Sequence, residues 1–139
     1  MSILGIAALI AAVVMLCLVP QIRKFLPFDY WISMRNQKLA DQLITRAESA
    51  LLCGKNADAK AAFERAALLG KENALLMSEA YFGLCRICQR DGDLNGAVQQ
   101  IDKALHYAPK WREYKRNFEG LLMGEKDRII NKIHRSVLH

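Results

Sequence analysis

Residues 1–22 contain no Asp, Glu, Lys or Arg, although the chain carries 20 basic and 14 acidic residues in all. Within this block Ile3–Val19 is an unbroken apolar run closed by Pro20. Its length reaches the lower end of the roughly 17–25 residues that cross a hydrocarbon core of about 30 Å, and exceeds the usual run of a buried core helix. This feature predicts a transmembrane anchor over residues 1–22. A cleaved secretory leader fits poorly: Met1-Ser2 supplies no basic side chain, and Leu18-Val19-Pro20-Gln21 is a poor small-x-small cleavage site.

Orientation follows from the flanks. Arg23 and Lys24 come directly after the apolar run, Arg35 and Lys38 stand a little further on, and Asp29 is the one acid among them. Lys and Arg stay on the cytoplasmic side of a bilayer, so the rest of a single-pass chain is expected there. Phe25, Phe28, Tyr30 and Trp31 cluster in the same juxtamembrane segment, residues 23–38, where rings with an apolar body and a polar edge suit the lipid–water boundary. With Arg23 and Lys24 they form the expected membrane interface.

Beyond Pro27 no proline intervenes until Pro109, and the chain is interrupted only by Gly54-Lys55-Asn56, Gly70 and Asp91-Gly92-Asp93. Asp29 is a plausible N-cap for the helix that follows Pro27. Between the breaks apolar residues recur every three or four positions. Leu39, Leu43, Ala47, Ala50 and Leu51 make one stripe, then Ala59, Ala62, Phe63, Ala66 and Ala67, then Leu76, Ala80, Tyr81, Leu84, Cys85 and Cys88, then Leu94, Ala97, Val98, Ile101, Ala104 and Leu105. No segment alternates like a strand, so the class is all-α. After Pro109, Tyr114, Phe118, Leu121 and Leu122 suggest one further helix, and Ile129, Ile130, Ile133 and Val137 a final one.

The helices repeat. Tyr81, Leu84, Cys85, Cys88, Ala97, Ile101, Ala104 and Pro109 fall into the register W-x2-L-G-x2-Y…A-x3-F…P. The segment from about Ser78 to Trp111 therefore resembles a tetratricopeptide repeat, with Cys85 in place of Gly and Cys88 in place of the aromatic. Leu43, Ala47, Ala50, Gly54, Ala59, Phe63 and Ala66 repeat the pattern over about Ala40 to Asn73, with Arg46 where Leu is usual. Phe63 and Ile101 are 38 residues apart rather than the family's roughly 34, and the extra residues around Lys71 to Leu75 are expected to lengthen the next helix. The resemblance implies a short α-solenoid over residues 39–139, made of antiparallel helix pairs at about 40–73 and 78–111 and capping helices at 112–139.

Chemistry has few footholds in this sequence. There is no P-loop, G-x-S-x-G, H-E-x-x-H or G-x-G-x-x-G. Cys85 and Cys88 form a C-x-x-C, but a redox site needs a thioredoxin-like context and a zinc site a second ligand pair. His106, His134 and His139 have no paired ligand spacing, and both cysteines fall on packing positions of the repeat. No catalytic residue, cofactor or metal site is assigned, and no enzyme activity is expected; a thiol or metal enzyme is the weakest alternative.

Net charge is concentrated at the ends. Residues 23–38 hold 4 basic and 1 acidic residues, 39–104 hold 8 and 9, and 105–139 hold 8 and 4. The C-terminal block suits anionic lipid or an acidic partner. Without interleaved aromatics or a recognised reading motif, nucleic acid ranks below a protein partner.

An N-terminal span before such repeats resembles bacterial inner-membrane tetratricopeptide proteins, and the resemblance implies a membrane-tethered adaptor or scaffold in the inner membrane that binds a partner protein at the cytoplasmic face, in assembly of a larger membrane complex. A small permanent structural subunit is the alternative, because two repeats are fewer than the three or so usually needed to complete a core. In the tetratricopeptide family the first helix of each repeat lines the groove. The resemblance therefore implies a partner groove of Asp41, Ile44, Glu48, Leu51, Glu79, Phe82, Arg86, Gln89 and Arg90, with Glu113 and Arg116 beyond. Glu48 and Gly83 stand where the family's carboxylate clamp has Asn, so an amphipathic helical ligand is the expected guest.

Overall fold

In the computed structural model, residues 3–25, 28–109 and 118–138 are described, with the side chains of residues 4 and 16–28 outside that description. The described elements are α1 (Ile3–Phe25), α2 (Phe28–Leu52), α3 (Asn56–Leu69), α4 (Ala74–Arg90), α5 (Leu94–Tyr107) and α6 (Gly120–Val137), with no strand among them. The chain divides into two units, residues 1–35 and 36–139.

In the first unit α1 runs on through Pro20 instead of closing there. Its described large side chains, from Ile3 to Met15, stand exposed. Among the described residues no helix is long and apolar enough to cross a membrane; Leu4 and Leu16 to Val19 of the Ile3–Val19 run have their side chains outside that set. Pro27 is likewise outside it, and α2 starts at Phe28, so Asp29 falls in the first helical turn rather than at the cap. A carboxylate there still opposes the positive end of the helix dipole.

In the second unit the helices pair by turns of one design. Gly54 (φ +75°) and Gly92 (φ +80°) both adopt the left-handed conformation that a side chain disfavours. Around Gly54, Lys55 N–H bonds to Ala50 O at 2.9 Å and Gly54 N–H to Leu51 O at 3.2 Å; around Gly92, Asp93 N–H bonds to Cys88 O at 2.9 Å and Gly92 N–H to Gln89 O at 3.3 Å. These are the two bonds that close a helix end in a Schellman turn, and every atom of the first set has its counterpart 38 residues on in the second.

The buried positions obey the same shift. Ala40, Ala47, Ala59, Phe63 and Ala66 in the first pair match Ser78, Cys85, Ala97, Ile101 and Ala104 in the second, and all ten are fully buried. Small residues at most of these points let helices approach closely, which is why alanines dominate both halves. Ser78 differs from Ala40 by a hydroxyl, which donates to Ala104 O at 2.6 Å and ties α4 to α5.

Two cores result, with α4 contributing to each. Ala40, Ile44, Ala47 and Leu51 of α2 meet Phe63 and Ala66 of α3 and Leu76, Ala80, Leu84 and Ile87 of α4. On the other side of α4, Cys85 meets Ala97, Ile101 and Ala104 of α5 and Leu122 and Ile129 of α6. Phe63 lies directly against Gly83, where a Cβ would overlap its ring. Asn73 sets the start of α4 by accepting from Leu75 N–H at 3.0 Å and Leu76 N–H at 3.2 Å, while its amide donates to Gln37 Oε1 at 3.3 Å.

Two expectations need correction. The stripe of α2 is rotated by one residue: Ala40, Ile44, Ala47 and Leu51 are buried, Leu43 and Ala50 only partly, and Leu39 is exposed. Leu121 and Leu122, expected in a helix separate from that of Ile129 to Val137, share one helix with them, α6, in which Leu122 and Ile129 lie two turns apart on one buried face; Tyr114 lies outside the described residues.

Candidate partner groove

Of the residues expected to line a groove, seven belong to one polar strip on α2 and α4. Asp41 and Arg90 are exposed, and Glu48, Glu79, Phe82, Arg86 and Gln89 are half-buried. Ile44 and Leu51 do not belong to it. They project into the first core, at 9% and 0% exposure, because α4 packs against this side of α2 and leaves only Asp41 and Glu48 at its margin. Glu113 and Arg116 lie outside the described residues, as do the side chains of Arg23, Lys24, Phe25 and Phe28; Tyr30 and Trp31 are exposed in the first unit.

Several of the strip's polar groups are already engaged. Arg86 Nη1 donates to Glu48 Oε1 at 2.9 Å and Oε2 at 2.8 Å, joining α4 to α2. One step along, Gln89 Nε2 donates to Glu125 Oε1 at 2.9 Å, joining α4 to α6, and Arg128 pairs with Glu125 at 2.8 Å. Arg90 Nη1 donates to Leu51 O at 2.5 Å, a carbonyl that also accepts from Gly54 N–H, so a cation meets the negative end of the α2 dipole. Phe82 rests against the second core.

That leaves the carboxylates. Burial pushes the Glu79 carboxyl above its ordinary value of 4.5, and the neighbouring charges of Asp41 and then Glu48 push it further. Three acids thus share a strip whose two cations are already engaged, Arg86 by Glu48 and Arg90 by Leu51 O. Such a strip can hold a cationic side chain of a partner; nothing in it resembles a nucleophile with its base.

The C-x-x-C is a packing feature. Burial raises the Cys85 thiol to about 11, outweighing a hydrogen bond from Gln89 that lowers it. Cys88 is raised too, again chiefly by burial, with Asp93 adding to it. Reactive cysteines are shifted the other way. Among the described residues no group of three or more His, Cys, Asp or Glu is placed to hold a metal.

The cross-helix partners were legible in principle. Glu48 and Arg86 occupy the same register 38 residues apart, which in a stack of helix pairs places opposite charges side by side. The contribution of Glu125 was not, because nothing in the sequence aligns α6 with α4. Comparison of the chain with protein-family models, with curated proteins and with solved structures found no match.

Proposed function

We propose that the chain is a membrane-anchored adaptor of tetratricopeptide type: the N-terminal helix holds it in a bilayer, and the strip along α2 and α4 captures a partner protein at the cytoplasmic face during assembly of a membrane complex. The observation that carries this reading is the acidic row of Asp41, Glu48 and Glu79. Packing does not require three carboxylates together, and Glu79 is held there against both desolvation and repulsion. A Lys or Arg on an amphipathic partner segment relieves that cost, so the binding free energy includes the removal of a native-state penalty.

The solenoid reading is supported by the 38-residue correspondence of turns and buried positions. The anchor reading is supported by the charge-free block 1–22 and by apolar side chains such as Ile3, Leu9, Ile10 and Met15, exposed around α1 where lipid suits them better than water. The permanent-subunit alternative expects a core left open for a neighbour. At the free edge of the first helix pair, α2 presents Gln42, Thr45, Arg46 and Ser49, which is a finished polar surface.

The test is the variant Asp41→Asn, Glu79→Gln, compared with the native chain by crosslinking in native membranes. The adaptor reading expects loss of the crosslinked partner with the fold retained or strengthened. Unchanged partner recovery would refute the acidic row as the binding surface.

A further inference from the structure

The 38-residue correspondence supplies an internal control for the outer edge of the first helix pair. The positions of α4 that pack back onto that pair are Ala80, Gly83, Leu84 and Ile87, all buried. Their counterparts on α2 are Gln42, Thr45, Arg46 and Ser49, all exposed. The same helical face that is built for stacking in one pair is therefore polar and cationic in the other. Arg46 and Ser49 border an open groove of 740 Å³ between α2 and α3, which Lys55 and Arg65 also line, with Asp58 as its one acid.

A polar end face keeps a helical stack soluble, and any mixture of charges serves that purpose. Here the mixture is one-sided. Arg46, Lys55 and Arg65 form no ion pair with a described residue, and Asp58 neutralises none of them. The lining runs along α2 from Gln42 to Ala50, about 12 Å at the helical rise, and on to Cys53 past its end, with Arg46 on the α2 wall, Arg65 on the α3 wall and Lys55 at the turn that joins them. A compact anion such as a phosphate needs its donors gathered at one point; cations distributed along a helix-wide groove fit an elongated acidic guest. The position also corresponds to the side on which α4 receives the preceding helix pair, so a helix is the shape it is suited to receive.

We infer that this edge is a second docking surface, which takes an acidic, amphipathic helical segment of a partner protein along Arg46, Lys55 and Arg65. It stands apart from the acidic strip and has the opposite charge preference, so the two surfaces select different segments. The adaptor therefore has two surfaces of opposite charge preference to offer.

The test uses the full chain in detergent micelles and a fluorescent synthetic peptide of about four helical turns with Glu along its polar face, beside a twin with Lys there. Anisotropy is expected to show binding of the Glu peptide that weakens as salt screens the groove, and much weaker binding of the Lys peptide. Arg46→Gln with Arg65→Gln is expected to weaken the Glu peptide by about tenfold or more, with an unchanged circular dichroism melt because both side chains are exposed. Asp41→Asn with Glu79→Gln is expected to leave it unchanged. Equal affinity of the native and arginine variants, or no preference between the peptides, overturns the inference. Displacement of the Glu peptide by phosphatidylglycerol vesicles acting through the same arginines overturns it in favour of a lipid headgroup surface.

Discussion

Replacing Gly83 by Ala sets two physical effects against each other. In helix propensity alone the change is favourable by about 0.5–1 kcal/mol, because alanine loses less backbone entropy. Packing opposes it. An ideal Cβ at Gly83 falls inside contact distance of three carbons of the Phe63 ring, with Cε2 at 2.6 Å, whereas ordinary carbon contacts begin near 3.5 Å. Relief requires the ring or the α3–α4 spacing to move by about 1 Å, and Phe63 is fully buried among packed neighbours. Overpacking of this kind costs about 1–3 kcal/mol, so the net expectation is destabilisation by about 1–2 kcal/mol and a melting temperature lower by roughly 5–15 °C for a domain of this size. Chemical denaturation of the full chain in detergent, followed by circular dichroism, measures it. The companion variant Phe63→Leu removes the obstacle, so Phe63→Leu with Gly83→Ala should be less destabilised than the sum of the single changes by about 1 kcal/mol or more. A neutral or stabilising Gly83→Ala, or strict additivity, would refute the close approach of α3 and α4 on which the pairing rests.

The remaining predictions concern charge, caps and thiols. Because the Glu79 carboxyl is raised above 4.5, the folded chain binds its proton more tightly than the unfolded chain, and stability falls as pH rises through the folded-state value. Glu79→Gln should therefore melt higher than the native chain at pH near 7, with the gap closing below about pH 4. Asp93 accepts from Gly96 N–H at 2.8 Å at the start of α5, so Asp93→Ala should cost about 1 kcal/mol, read from the denaturation midpoint. The Glu48–Arg86 pair is part-exposed, at 39% and 33%, and a double-mutant cycle should assign it no more than about 1 kcal/mol, decreasing with salt. Iodoacetamide at neutral pH should modify exposed Cys53 well before Cys85, whose thiol is buried and raised to about 11; early modification of Cys85 in the folded chain, mapped by mass spectrometry, would revive a thiol function.

The sequence announced the helical class and much of the core through positions that recur: Ala59 with Ala97, Phe63 with Ile101, Ala66 with Ala104, Gly54 with Gly92. Each is constrained by a local event, a left-handed turn or a close helix approach, that leaves its mark on residue type. What the sequence concealed depends on which neighbour a helix meets. On α2 two candidate stripes one residue apart are both apolar, and the choice of Ala40, Ile44, Ala47 and Leu51 is made by α3 and α4, not by α2 itself. Ile44 and Leu51 thus left the groove for the core. The single span of α6 was hidden because its apolar residues fall in two clusters, Leu121–Leu122 and Ile129 to Val137, although Gly124 between them costs a helix only about 1 kcal/mol, which the burial of Leu122 and Ile129 offsets. The cationic edge was hidden for a further reason: Arg46 reads as a defect in the repeat until the matching face of α4 shows what that position does when stacking is its purpose.

The adaptor account is tested most directly by photo-crosslinking in native membranes from two positions: Phe82, in the acidic strip, and Gln99, exposed on α5, each replaced by benzoylphenylalanine. The account predicts a discrete protein adduct from position 82 that sediments with membranes, none from position 99, and loss of the adduct when Asp41→Asn and Glu79→Gln are added. An absence of adduct at position 82, an equal adduct at both positions, or an adduct recovered in the soluble fraction would contradict it.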